Sequence, residues 1–522
     1  MERPDAIIVG SGINALVCAA MLGKRGKRVL VLERNGEIGG CIRTEALTAP
    51  GFVHDVMATT WVLFMAGPAY GALCDDLARH GVAFTDPQHP TGVLRPNGEA
   101  AVLTRDRAAN LDMFERLADG DGDAFARGVD EVEANAGLLF PLLGQHLWSR
   151  QTAALMGKEA VRRRPSGLTA FFGESLAPAR GWLEGDFRSE TAQALFAPWV
   201  LHTGLGPDSA YSGMMARIIA FSLEALGAPI VKGGAQKMLD AFRALITEQG
   251  GEIRTGADVA RIDVEMGETA GVTLSDGERV FSRQVIASVT PTQLYFRLLE
   301  KPPALAVEAT RKFRYGKGNF QLHYALDRPP QWKADGLSEV ALLHLTDGVD
   351  AVSKATNEAE RGMLPEVPTI CVGQPSALDP SRAPEGKAVL WLQMPEAPPR
   401  IKGDAAGEID APGDCKWTEA VREAYADRIE AILARHIDGF RQSVIARSAQ
   451  SPADIEALNM NLVGGDPYGG DCALDQFFLW RPFKHSINHG TGIKGLWHIG
   501  ASTHPGPGLG GASGFLAAEA VA

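Results

Sequence analysis

Two hydrophobic rhythms alternate along the chain. Ile7-Ile8-Val9 is an unbroken apolar run that stops at Gly10-Ser11-Gly12 and resumes as a helical pattern over residues 13–25. A second run, Val29-Leu30-Val31-Leu32, ends at Glu33. Such runs predict strands buried on both faces, and the 3.6-residue spacing between them predicts the crossover helix of a βαβ unit. From about residue 69 to 228 the spacing is helical, as over 69–79, 124–147 and 209–226, interrupted by Pro165, Pro178, Pro198 and Pro207. A further helix over 237–249 stops at Gly250-Gly251. Short strands follow over 252–255, 257–264, 271–274, 279–281 and 284–287, with a hairpin turn at Asp276-Gly277. Strand patterns recur over 320–326 and 388–394, and residues 404–415 read as a surface loop. A last strand over 495–500 enters a glycine tract and a closing helix from near Ala512.

The chain has 522 residues, which is long for one core. The order of patterns predicts an α/β fold with interleaved domains. A nucleotide-binding domain is expected from 1–68, 229–290 and 483–522. A substrate domain is expected from 69–228, mostly helical, and 291–482, a mixed sheet. The net charge of −12 argues against a nucleic-acid partner. The basic triplet Arg162-Arg163-Arg164 precedes Pro165 and reads as an exposed loop, which leaves peripheral membrane contact open. No apolar run approaches the roughly 18 residues that span a bilayer. The longest, 56–66, reads as core or substrate-channel wall. The first strand begins too early to leave room for a signal peptide, so a cytoplasmic protein is expected. The six cysteines show no metal-ligand spacing and no disulfide framework, so reduced thiols and no metal are expected.

The chemistry concentrates at the two ends. Gly10 allows a sharp turn after the strand, Gly12 lets a pyrophosphate approach the backbone, and Ala15 supplies a third small position for helix–strand packing. The helix N-terminus then faces the phosphates with free N–H groups. Glu33 accepts hydrogen bonds from a ribose hydroxyl and repels a 2′-phosphate. At the other end, residues 500–514 hold six glycines, a density that permits a flat ligand against the backbone.

The continuation Glu33-Arg34-Asn35-Gly36-Glu37-Ile38-Gly39-Gly40 resembles the FAD-binding entry of the flavin amine oxidase and phytoene desaturase superfamily. "VKGGAQKMLDAF" (231–242), "GGEIRTGADVARI" (250–262) and "GLWHIGASTHPGPGLGGASG" (495–514) resemble the bacterial-type phytoene desaturases. "GGDPYGGDCALDQFFLWRP" (464–482) resembles the branch named for pyridine nucleotide-disulfide oxidoreductase domain-containing protein 2. The resemblance implies a Rossmann-like FAD-binding domain of the glutathione reductase 2 type, interleaved with an α+β substrate domain. It places Gly10, Ser11, Gly12, Asn14 and Ala15 at the phosphates, Glu33 and Arg34 at the ribose, and Gly39, Gly40 and Arg43 along the pyrophosphate and flavin. Val259 falls on the adenine side, and Gly500, Ala501, Leu509 and Gly510 at the second phosphate and ring edge. The implied reaction removes two hydrogens from an apolar or partly apolar small molecule, with hydride passing to flavin N5. An oxygen-using oxidase of an amine or alicyclic ring is the alternative. Oxygen, quinone and NAD(P) stay open as electron acceptors, and homo-oligomerisation stays open too. Of the candidate bases, His504 comes first because the glycine motif carries it. His54 beside Asp55, Tyr211 and His202 follow, and Cys41 reads as a packed thiol. In this branch a lysine often occupies the strand before "ALD". Here that strand carries Gln321 and His323, with Lys317 just outside it.

Overall fold

A computed structural model describes residues 3–521. Ala6–Val9 and Val29–Leu32 pair in parallel, Ile8 opposite Val31. Val285–Ser288 and then Leu496–Ile499 add on one side, and Glu252–Arg254 on the other. Five parallel strands from three distant stretches of chain therefore form one sheet. Ile8, Val31, Ile286 and Ile499 face the helices Ile13–Lys24 and Gln236–Glu248. Ile7, Leu30, Leu32 and Val285 face an antiparallel sheet of Val259–Glu265, Glu268–Leu274 and Arg279–Phe281. Two covered faces explain why these runs are apolar throughout.

The chain ends meet at the closing helix Ala512–Val521, which lies on Ile13–Lys24. A Cβ at Gly514 would fall 1.8 Å from the carbonyl oxygen of Asn14. The Gly514 amide donates to Asn14 Oδ1 at 3.2 Å. Gly514→Ala must push the two helices apart, at a cost of about 1–3 kcal/mol or more. The expected outcome is a lowered melting temperature, read by circular dichroism; unchanged melting would contradict this packing.

The second sheet has seven strands in the order Val444–Gln450, Gly318–Leu326, Ala388–Ala397, Ile370–Gly373, Leu342–Leu345, Thr91–Leu94 and Ala100–Leu103. Only Thr91–Leu94 and Leu342–Leu345 run parallel as neighbours. The stretch 69–228 is thus not helical throughout, because it lends this sheet a hairpin whose connection holds Pro96-Asn97-Gly98. The rest of this stretch is mostly helical, including Pro68–Arg79, Asp121–Gly144, Arg150–Ser175 and Ser212–Leu226. The triplet 162–164 lies inside Arg150–Ser175 instead of in a loop. Glu159 holds Arg162 at 2.6 Å and Arg163 at 2.8 Å, one helical turn away. Arg164, the residue before Pro165, leaves helical geometry (φ 61°, ψ 164°), at a position where proline disfavours the helical conformation. Among the described residues no helix is long and apolar enough to cross a membrane.

A buried ion cluster ties distant segments together. Arg382, fully buried, donates to Asp55 Oδ2 at 3.0 Å, Asp379 Oδ2 at 3.1 Å and the Val231 carbonyl at 2.8 Å. Asp55 Oδ1 also accepts from the Ala235 amide at 2.9 Å and Thr44 Oγ1 at 2.8 Å.

Candidate functional site

A cavity of about 550 Å³ runs from the carboxyl ends of the parallel strands to the face of the seven-stranded sheet. In open parallel sheets this is where ligands bind. Gly10 turns the first strand with φ 90°, and its Cβ would sit 3.0 Å from the Ser288 carbonyl. Gly12 differs: a Cβ there meets nothing within 4 Å, because the position opens into the cavity. It is the N-cap of Ile13–Lys24 and no side chain caps the helix, so its first amides are free for a phosphate. Glu33 is buried at the end of the second strand. Its Oε2 accepts from Ser11 Oγ at 2.6 Å and the Ser11 amide at 3.1 Å, and its Oε1 from the Asn35 amide at 2.9 Å. Oε1, with one donor, keeps a second lone-pair direction for a ribose hydroxyl. The Gly39 amide donates to Ser11 Oγ at 3.1 Å, which draws the glycine pair beneath the turn. Gly511, Ala512 and Ser513 bring the N-terminus of the closing helix to the same cavity. An open glycine cradle, two helix N-termini and a ribose-facing carboxylate fit FAD.

Gly10, Ser11, Gly12, Asn14, Glu33, Arg34, Gly39, Gly40, Val259, Gly500, Ala501, Leu509 and Gly510 all line the cavity. Ala15 and Arg43 do not. Ala15 is sealed in the core between helix and sheet, and Arg43 is held by Glu45 Oε1 at 2.6 Å. The structure adds Ser288, Thr290, Asp258 and Arg297, together with Asn459-Met460-Asn461, which follow the helix Pro452–Leu458. Arg297 pairs with Asp258 at 2.7 Å, and Asn461 Oδ1 accepts the Thr290 amide at 2.9 Å. Ser288 ends a parallel strand and Thr290 follows it, so the strand-end rule points to them in the sequence. Asn459-Met460-Asn461 carries no such signal.

The candidate bases are placed differently from expectation. His504, His54 and Tyr211 do not line the cavity. The Nε2 of His504 lies 3.0 Å from the Gln145 carbonyl, and that of His54 lies 2.7 Å from Thr48 Oγ1. The Tyr211 hydroxyl donates to the Cys472 carbonyl, and burial pushes its pKa above the ordinary range. These side chains hold loops together. Lys317 is also outside the cavity, paired with Glu360 at 3.3 Å, whereas Gln321 of the neighbouring strand lines it. His202 does line the cavity, and burial lowers its pKa to about 4.

Behind the glycine tract, His489 Nε2 lies 3.1 Å from both the His504 carbonyl and Ser513 Oγ. Ser513 Oγ also accepts the Gly500 amide at 3.1 Å. Burial holds His489 down to about 3 and His498 and His504 to about 4, against an ordinary 6.5. The unfolded chain therefore takes up protons as pH falls below about 6.5 while the folded protein does not. Stability is lost from there toward pH 4. Melting temperature should fall between pH 7.5 and 5.5; a flat profile would contradict the buried neutral histidines.

The family model for flavin containing amine oxidoreductase matches residues 16–402. Pyridine nucleotide-disulfide oxidoreductase domain-containing protein 2 of Mus musculus is 28% identical, covering 99% of this chain and 93% of its own length. A limonene dehydrogenase subunit of Castellaniella defragrans is 25% identical, covering 100% and 95%. Among solved structures, an engineered putrescine oxidase superposes with a TM-score of 0.62 at 16% identity, over 99% of this chain and 98% of that one.

Proposed function

Because the chain belongs to the flavin containing amine oxidoreductase family and is an FAD-dependent oxidoreductase, we propose that it is a dehydrogenase of the desaturase type, acting on a neutral, largely apolar substrate. The distribution of charge in the cavity carries this reading. Every charged residue lining it lies at the nucleotide end: Glu33 and Arg34 follow the second strand, Asp258 precedes the strand Val259–Glu265, and Arg297 reaches Asp258 from the helical turn Gln293–Leu298. The remainder is walled by Phe140, Leu143, Met215, Ile218, Ile219 and Trp391, with amides from Asn319, Gln321 and Gln393. A protonated amine would shed its water there without meeting a carboxylate, which is costly.

FAD, when bound, supplies a two-electron acceptor for hydride. The protein supplies position and dryness. The apolar wall holds the substrate by its surface and excludes water. The first-turn amides of Ala512–Val521 present positive potential to the cavity. The Trp391 indole and Gln321 amide both donate to the Met57 carbonyl, at 3.0 and 3.5 Å, which fixes the sheet face against the 56–66 segment. The relative named limonene dehydrogenase supports an alicyclic substrate.

The test compares turnover of cyclic hydrocarbons and alcohols with their amine counterparts. The expected product is lighter by two hydrogens, with kcat/KM at least about 100-fold higher for the neutral member, a difference of about 2.7 kcal/mol. Faster turnover of the amines, with peroxide released, would overturn the reading in favour of an amine oxidase.

A further inference from the structure

A cluster of nitrogen and sulfur ligands closes one part of the cavity wall. Leu342–Leu345 and Ile370–Gly373 are antiparallel neighbours, and their register sets His344 directly opposite Cys371 on one face of the sheet. The 3₁₀ turn Ala197–Thr203 brings His202 to the same place. His202 Nε2 lies 3.0 Å from His344 Nε2, and one ligand atom from each of His202, His344 and Cys371 lies within 4.8 Å of the other two. The Trp199 ring covers His202 at 4.5 Å and meets His344 edge-on at 5.1 Å. Its indole N–H donates to Thr91 Oγ1 at 3.1 Å, which locks that cover in place.

As the side chains stand, this bonding is incomplete. Two facing imidazole nitrogens share one hydrogen bond, and His344 Nδ1 is buried with no partner. The Cys371 thiol, also buried, makes no hydrogen bond among the described residues. Three donor atoms converge with two protons among them, one shared by the imidazoles and one on the thiol. Two imidazoles and a thiol suit zinc-like metals and not the oxygen-seeking magnesium or calcium. Tetrahedral zinc needs nitrogen and sulfur donors about 3.3–3.6 Å apart, a spacing that small side-chain rotations reach from here.

We propose that His202, His344 and Cys371 bind one thiophilic divalent cation of the zinc class, with a fourth coordination position open to the cavity. His344 and Cys371 anchor the ion from the buried side, and His202 is the ligand that reaches the cavity. On binding, the Cys371 thiol gives its proton to solvent and its sulfur forms the metal bond; no oxidation or reduction is involved. Each imidazole turns a lone pair to the ion and carries its N–H on the other ring nitrogen. Three protein ligands and one open position form the arrangement in which a metal polarises an oxygen. The substrate class that follows is an apolar molecule bearing one hydroxyl or carbonyl oxygen. That last step rests on the reading of the cavity given above, whereas the metal site does not.

The flavin-loaded protein, dialysed against a chelator, is titrated with Zn²⁺ and separately with Co²⁺, and bound metal is measured per chain. One equivalent of zinc is expected. The cobalt form should show thiolate-to-metal absorption in difference spectra against the metal-free flavoprotein. Cys371→Ser and His344→Gln should each lower binding at least tenfold while the flavin spectrum persists. If either variant loses its fold, X-ray absorption of the wild-type zinc form decides, with one sulfur and two nitrogens expected. No stoichiometric metal, a shell without sulfur, or full binding by Cys371→Ser would overturn the site. Metal bound as stated with no preference for oxygenated over plain hydrocarbon substrates would retain the site and remove its substrate role.

Discussion

Gly12→Val should yield a folded protein that has lost its flavin. The backbone at Gly12 (φ −66°, ψ 172°) is extended and open to any residue. A Cβ there meets no protein atom within 4 Å. The penalty to the empty fold is then the modest one of changing an N-cap glycine, below about 1 kcal/mol. The branched side chain instead enters the space before the free helix amides. A loss of about 100-fold or more in FAD affinity is expected, close to 2.7 kcal/mol. Flavin absorbance per chain and far-ultraviolet circular dichroism check the two halves separately. Gly39→Ala is the contrasting case. Its φ is 124° and its Cβ would lie 2.3 Å from the Ile42 carbonyl, so flavin and fold should fail together. A Gly12→Val protein that keeps stoichiometric flavin would contradict the cradle.

Arg382→Ala should destabilise the fold more than Gly514→Ala or Gly12→Val. The guanidinium neutralises Asp55 and Asp379, both buried, and also satisfies the Val231 carbonyl. Removing one partner of a buried ion pair costs about 3–5 kcal/mol, because the other charge stays buried and unpaired. The effect should reach the cavity. Asp55 also holds Thr44, the Ala235 amide and, at 3.3 Å, the hydroxyl of cavity-lining Thr59. Chemical denaturation of the flavin-loaded protein should show a clearly lower midpoint, with flavin released earlier in the transition. Arg382→Met combined with Asp55→Asn should recover part of the loss, since it removes one stranded charge. An unchanged midpoint for Arg382→Ala would contradict the cluster's role.

The nucleotide end is legible in the sequence because its requirements are local. Gly10 and Gly12 must lack a Cβ within a few residues of a strand end and a helix start, and Glu33 must end the next strand. The pairing of residues 10–15 with 500–514 is legible for the same reason, since each end carries its own glycine signature. The hairpin of Thr91–Leu94 and Ala100–Leu103 escapes sequence reasoning although Pro96-Asn97-Gly98 marks its turn, because four-residue strands inside a long helical stretch give too short a period-2 signal. The histidines mislead for a different reason. His504 sits between cavity-lining Ser502 and Pro505, yet its own side chain points to Gln145. Sequence spacing cannot tell a side chain facing a ligand from one facing a loop. The same limit hides His202, His344 and Cys371, which are brought together by sheet register and a 3₁₀ turn.

A neutral, apolar substrate should meet FAD in a cavity closed by both chain ends. Anaerobic mixing of the flavin-loaded protein with cyclic terpenes, carotenoid-type polyenes, cyclic ketones and alkyl amines, each followed by flavin bleaching, puts that pairing to the test. Bleaching by a neutral member of the panel, with the amines silent, is the predicted result. Bleaching by amines alone would contradict it.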